Sequence, residues 1–196
     1  MIGWKYLLLK VYKQMRMKQL FIVVMAWIPV LLISCGERKS SEKKLDSLFL
    51  GVSMGMEKKA FYDYCWEMNR QKVFKHGPAN QSVEYRLATE LKSPVMMQFY
   101  PSFFENKIYE MPVLFSYESW APWNKEYGSD VLLTDLLTLF KKWYGDDFQT
   151  LQHRTQGTIY YQMKGRRRIN LFIRDDQFVQ AVFTDLKVDE EIKNKK

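Results

Sequence analysis

Beyond residue 44, polar and apolar positions repeat one order twice: a stretch with helical spacing, then three stretches that alternate. From Glu57 to about Gln71, Ala60 or Phe61, Tyr64 or Cys65, and Met68 recur at intervals of three and four, which predicts an amphipathic helix ended by His76-Gly77-Pro78. Alternation then predicts strands over 82–90, 95–100 and 108–117, the last with Tyr109, Met111, Val113, Phe115 and Tyr117 on one face. Pro112 should bend that strand or place it at an edge, because proline cannot donate to a ladder. Leu132, Leu136, Leu139 or Phe140, and Trp143 form the stripe of a second helix, which Ser129 or Asp130 can cap at its start and Gly145 ends. Leu133 and Leu137 on its other side predict burial on more than one face. Strands over 158–163, 168–174 and 178–186 follow, with turns at Lys164-Gly165-Arg166 and Asp175-Asp176-Gln177, matched in the first half by Glu105-Asn106-Lys107.

This order predicts an α+β fold, an antiparallel β-sheet with both helices packed on one face. Tandem α-β-β-β units over 51–117 and 128–187 are the internal division it suggests. Leu45 to Leu50 reads as a short helix or strand against the core, and the glycines of 51–56 allow an entry turn. The domain then spans 45–192 and a basic tail occupies 193–196.

Upstream the pattern changes. Leu20 to Ile33 is fourteen residues without a charge, preceded by Lys13, Arg16 and Lys18 and followed by Ser34-Cys35. A cationic lead, a short apolar run and a small residue describe a secretory signal peptide over 1–34, starting at Met1, Met15 or Met17. The run falls short of the roughly twenty residues that span a bilayer. Leu32-Ile33-Ser34-Cys35 resembles the lipobox of bacterial lipoproteins. The resemblance implies cleavage before Cys35, lipid (palmitate among it) on that residue, and, with Gly36 next, the periplasmic face of the outer membrane. Gly36 to Lys44 has no apolar residue and predicts a flexible tether over 35–44, with an end-to-end distance of roughly 15–18 Å.

Removal of the leader changes what charge means. Of 30 basic and 22 acidic residues, five basic and no acidic ones lie in 1–34, which leaves 25 against 22, or +3. The high isoelectric point therefore belongs mostly to leader and tail, and a nucleic-acid partner is not expected. With Cys35 carrying lipid, Cys65 has no internal disulfide partner and reads as a small buried hydrophobe.

Catalytic patterns are scarce. His76 and His153 show no metal-ligand spacing, there is no nucleophile elbow or phosphate loop, and the acid pairs Asp146-Asp147, Asp175-Asp176 and Asp189-Glu190-Glu191 read as solvated turns or tail. Cys65 and His76 could act as nucleophile and base only if folding joined them. No metal or cofactor is implied. Two segments suggest binding instead. Tyr117, Trp120, Trp123 and Tyr127 crowd one connection, where exposed rings could anchor a partner or cap the end of the core. Arg166, Arg167 and Arg168 could grip a phosphate or carboxylate, or simply solvate a turn. Tyr62, Trp66 and Tyr161 raise the same question as the aromatic connection.

Gly55-Met56-Glu57-Lys58-Lys59-Ala60-Phe61 resembles the opening of the first helix in the SmpA/OmlA (BamE-like) outer-membrane assembly lipoproteins. The helix-plus-sheet units in tandem are similar in architecture to the β-lactamase inhibitory protein fold. These resemblances imply a small antiparallel sheet under its helices and carry over no binding residue. The chain is thus expected to be a lipid-anchored, non-catalytic module for a protein or envelope component. The alternative is an enzyme or enzyme inhibitor acting on envelope glycan or peptide. A pocket joining Cys65 with His76 would favour chemistry, and a flat aromatic patch would favour binding.

Overall fold

Leu50 and Gly51 take left-handed backbone angles, φ 46° and 76°, and fold the chain back between β1 (Ser47–Phe49) and β2 (Val52–Ser53). This hairpin lays Leu48, Phe49 and Val52 into the core of the computed structural model, which describes residues 46–195. The expected signal peptide, Cys35 and the expected tether lie outside the described residues.

Helix α1 (Lys58–Arg70) buries Phe61 fully and Tyr64, Cys65 and Met68 in part, the stripe its spacing predicts. It ends six residues before His76, earlier than Gly77-Pro78 suggested. Lys72 adopts φ 61°, and the N–H groups of Lys72 and Val73 donate back to Asn69 and Met68, closing the last turn without glycine. Gly77 and Pro78 instead form the loop between β3 (Lys75–His76) and β4 (Val83–Leu87).

The chain continues as β5 (Val95–Phe99), β6 (Ser102–Phe104) and β7 (Lys107–Tyr117), then α2 (Ser129–Tyr144). Next come β8 (Gln149–His153), β9 (Gly157–Lys164), β10 (Arg167–Ile173), β11 (Val179–Asp185) and α3 (Leu186–Asn194). Nine strands form one antiparallel sheet in the order β3-β4-β5-β7-β11-β10-β9-β8, with β6 also on β7. Each half is one helix followed by four strands of this path. The halves meet in mirror order at β7 and β11, where Val113 faces Ala181 and Phe115 faces Val179.

That pairing fixes one buried face. Met111, Val113, Phe115 and Tyr117 of β7 line up with Ala181 and Phe183 of β11 and with Ile169 and Leu171 of β10, all nearly inaccessible. Both helices cover this face. Phe140 of α2 packs 6.0 Å from Phe115 and 6.0 Å from Phe183, while Phe49 joins Phe99 (5.1 Å) to Phe183 (5.6 Å) across the two halves. These spacings and tilted or edge geometries suit aromatic pairs.

Four local expectations change. Tyr109 is out of phase with Met111: Ser102 opposes Glu110 while Phe103 opposes Ile108, so Tyr109 is the extra residue of a bulge and Ile108 takes the buried position. Pro112 lies in a central strand, opposite the corner where β5 ends, with Phe99 facing Val113, and β6 begins, with Ser102 facing Glu110. The C-terminal segment is α3 rather than a tail from residue 193. Asp185 caps it, accepting from the N–H of Lys187 at 3.1 Å and of Val188 at 3.4 Å. At α2, Gly128 occupies the cap position, and the N–H of Ser129 donates to the Asp176 carbonyl at 3.1 Å.

Burial grades the cost of truncation. Phe140→Ala should destabilise the protein by about 3–5 kcal/mol, the range for a large ring removed from a close-packed core. Trp143→Ala, on the 38% exposed side of the same helix, should cost less than half as much, as urea unfolding can measure.

Candidate functional site

Tyr62, Trp66 and Asn69 follow one another at helical spacing along α1, beside the stripe that enters the core. That offset leaves Tyr62 41% and Trp66 67% exposed while Phe61 is buried beneath them. Tyr100, just past the end of β5 and 41% exposed, meets the helix there, its hydroxyl 2.5 Å from that of Tyr62. With β3 and the start of β4 these residues enclose a groove of about 390 Å3, floored by Phe61 and Phe74 and bordered by Cys65, His76, Asn80 and Ser82. The volume suits a small ligand or one or two partner side chains.

The loop after β3 is shaped for this position. Ala79 and Asn80 hold φ 53° and 57°, and the N–H of Gly77 donates to Ser82 at 2.9 Å. A Cβ on Gly77 would collide with the Ser82 hydroxyl, so a larger residue here requires that side chain to move. Asn69 anchors the opposite side, donating from Nδ2 to the Phe74 carbonyl at 3.1 Å.

Cys65 and His76 thus line one groove, the juxtaposition that would favour chemistry. The thiol's environment argues otherwise. Burial pushes it up to about 11, so it is protonated at neutral pH, whereas a nucleophilic cysteine needs an electropositive setting that stabilises its thiolate. Among the described residues no hydrogen bond joins the two side chains, and no group of three His, Cys, Asp or Glu is placed to hold a metal. Tyr100 is pushed up to about 12, first by its hydrogen bond with Tyr62 and then by burial, so its hydroxyl is neutral and able to donate or accept.

The residues singled out from sequence separate in space. Tyr117 is 1% exposed, and its hydroxyl donates to the Asp135 carboxylate. Burial, foremost, and that acceptor hold it well above the usual tyrosine range. Tyr127 stacks edge-on against it at 5.4 Å, and Trp120 donates from Nε1 to the Asp176 carbonyl at 3.2 Å. These three rings close the end of the core. Trp123 alone stands free, 85% exposed.

The arginines divide similarly. Arg166 donates to Asp46 Oδ1 from Nε at 3.1 Å and from Nη2 at 3.0 Å, tying the β9–β10 turn to the start of the domain. Arg167 is 4% exposed, donates to the Ser47 carbonyl at 2.9 Å and lies 5.0 Å from the Tyr144 ring centre. Arg168 points to the other side of the sheet, 3.8 Å from Asp189 of α3. Strand alternation and three separate partners keep the run from forming one anion clamp.

Compared with known protein families, with curated proteins and with solved structures, the chain matches none.

The thiol's setting predicts its reactivity. Alkylation of Cys65 in the folded protein should still rise about tenfold per pH unit between pH 9 and 10, because the thiolate population is set by a value near 11. Below pH 9 the raised value favours the folded state, and this contribution is lost as pH rises from 9 toward 11. A rate that levels off below pH 9 would contradict this.

Proposed function

We propose that this chain is a non-catalytic binding module of a bacterial cell envelope. On this reading lipid on Cys35 holds it at the periplasmic face of the outer membrane, and it captures a protein or envelope component through the groove beneath α1. The observation that carries the binding role is the ring of Tyr62, Trp66 and Tyr100 around a cavity whose one thiol is protonated. Water-exposed aromatic rings at the rim of a concave apolar site cost solvation in the free protein and gain most when a partner covers them. Anchoring rests on the apolar run before Cys35, and among the described residues no helix is long and apolar enough to cross a membrane.

One observation favours a second reading, an enzyme or inhibitor acting on envelope glycan or peptide: Cys65 and His76 border the same groove. The two readings differ in what each residue must do. Binding depends on ring surface and tolerates loss of the thiol, whereas thiol chemistry does not survive Cys65→Ser.

Titration of the purified chain with soluble peptidoglycan fragments and with envelope peptides, followed by tryptophan fluorescence, tests this. Trp66→Ala should weaken binding at least tenfold with unchanged thermal unfolding, Trp123→Ala should change it less than twofold, and Cys65→Ser should leave it intact. Mass spectrometry of the membrane-bound form should find an amino terminus at acylated Cys35. Turnover abolished by Cys65→Ser would favour the second reading, and an intact leader on an unmodified Cys35 would overturn the anchoring.

A further inference from the structure

The two edges of the sheet are built differently. At one end β3 is only two residues long and presents Lys75, a short charged edge that resists pairing with another chain. At the other end β8 runs five residues in unbroken register with β9, and all five are exposed. Gln149-Thr150-Leu151-Gln152-His153 contains no proline, lysine, acid or bulge, and among the described residues no strand pairs with its outer side.

The side chains of β8 continue a pattern set by the strands behind it. Tyr160 packs toward the helices and opposes Thr150, so Leu151 points to the opposite face of the sheet with its partner Ile159. Phe172 of β10 lies on that face too, since Leu171 enters the core. Ile159 and Phe172 are each 7% exposed, yet Leu151 at the end of their row is 53% exposed. The apolar row therefore runs off the edge of the sheet.

We infer that β8 is a homodimerisation edge, pairing antiparallel with β8 of a second copy about a two-fold axis at Leu151. In this register Leu151 faces its own counterpart, Thr150 faces Gln152, and Gln149 faces His153, so no two like charges oppose each other. The two-fold keeps each face of the sheet on its own side, and the row becomes Phe172, Ile159, Leu151 and then the same three residues reversed. Arg154, one residue beyond β8, comes opposite Phe148 of the other copy and beside its Asp146 and Asp147, so the ends of the pair attract. A second copy meets every one of these requirements with residues already present, and the result is one continuous sheet through both protomers. The contact is short, which makes the dimer concentration-dependent.

Register-specific crosslinking tests this in the full chain carrying Cys35→Ser and Cys65→Ser. Paired antiparallel residues have Cα atoms about 4.5–5.5 Å apart, inside the range a disulfide spans. Leu151→Cys should therefore form a disulfide dimer on mild oxidation. His153→Cys, which faces Gln149, should form at least tenfold less. Sedimentation of the unaltered chain from about 10 µM to about 1 mM should show association that Leu151→Lys abolishes by placing two ammonium groups opposite each other. A monomer at every concentration overturns the proposal. So do association that Leu151→Lys leaves unchanged and equal crosslinking at 151 and 153, which would mean that the chain associates by another surface.

Discussion

The pairing of β7 with β11 is the constraint on which the rest of the structure depends. Six residue pairs, from Val179 opposite Phe115 to Thr184 opposite Glu110, join two halves that otherwise share few strand contacts. A shift of one residue would turn Met111, Val113 and Phe115 away from Ala181 and Phe183 and leave both helices without a surface to cover. The seam also explains the aromatic chain through the core. Phe49, from the first hairpin, bridges Phe99 of one half and Phe183 of the other only because the two strands are held in this register.

Function follows from what the seam leaves over. Helix α2 lies across the middle of the sheet and is buried on several sides, so it has little free surface. Helix α1 lies toward the edge with the shortest strand and buries one full residue, Phe61. Its second stripe, Tyr62 and Trp66, therefore has no sheet beneath it beyond Tyr100, and a groove forms where packing ends. The opposite edge carries the mirror consequence. There β8 has strands on one side only, and the apolar row of the outer face stops at an uncovered leucine.

Much of the architecture was readable because burial on one face imposes period two on strands. Ile169, Leu171 and Ile173, or Val95 and Phe99 in β5, announce themselves in this way, and an antiparallel sheet with two helices on one face is what the order of elements suggested, whereas the joining of both halves into one sheet was not readable from it. The strands that escaped are those too exposed or too short to show a pattern: β8 holds one apolar residue, and β3 and β6 have two and three residues. Helix α3 was hidden for a related reason. Its signals are a cap at Asp185 and a pair between Asp189 and Lys193, which among so many charges read as solvated tail. The groove was the least legible feature, since Tyr62 and Tyr100 are 38 positions apart and their meeting is a product of topology. Two aromatic residues four apart, Tyr62 and Trp66, outside the core stripe of α1 were the available local signal. Tyr117, Trp120 and Tyr127 carried a stronger composition signal and turned out to seal the core.

Native-state hydrogen exchange measures the seam most directly. The account predicts that amides of β7 and β11 are the most protected in the chain and exchange together, through global unfolding alone. If residues 51–117 and 128–187 instead lost protection as two independent units with different free energies, the two halves would not be joined as described. The placement of the groove and of the open edge would fall with that joint.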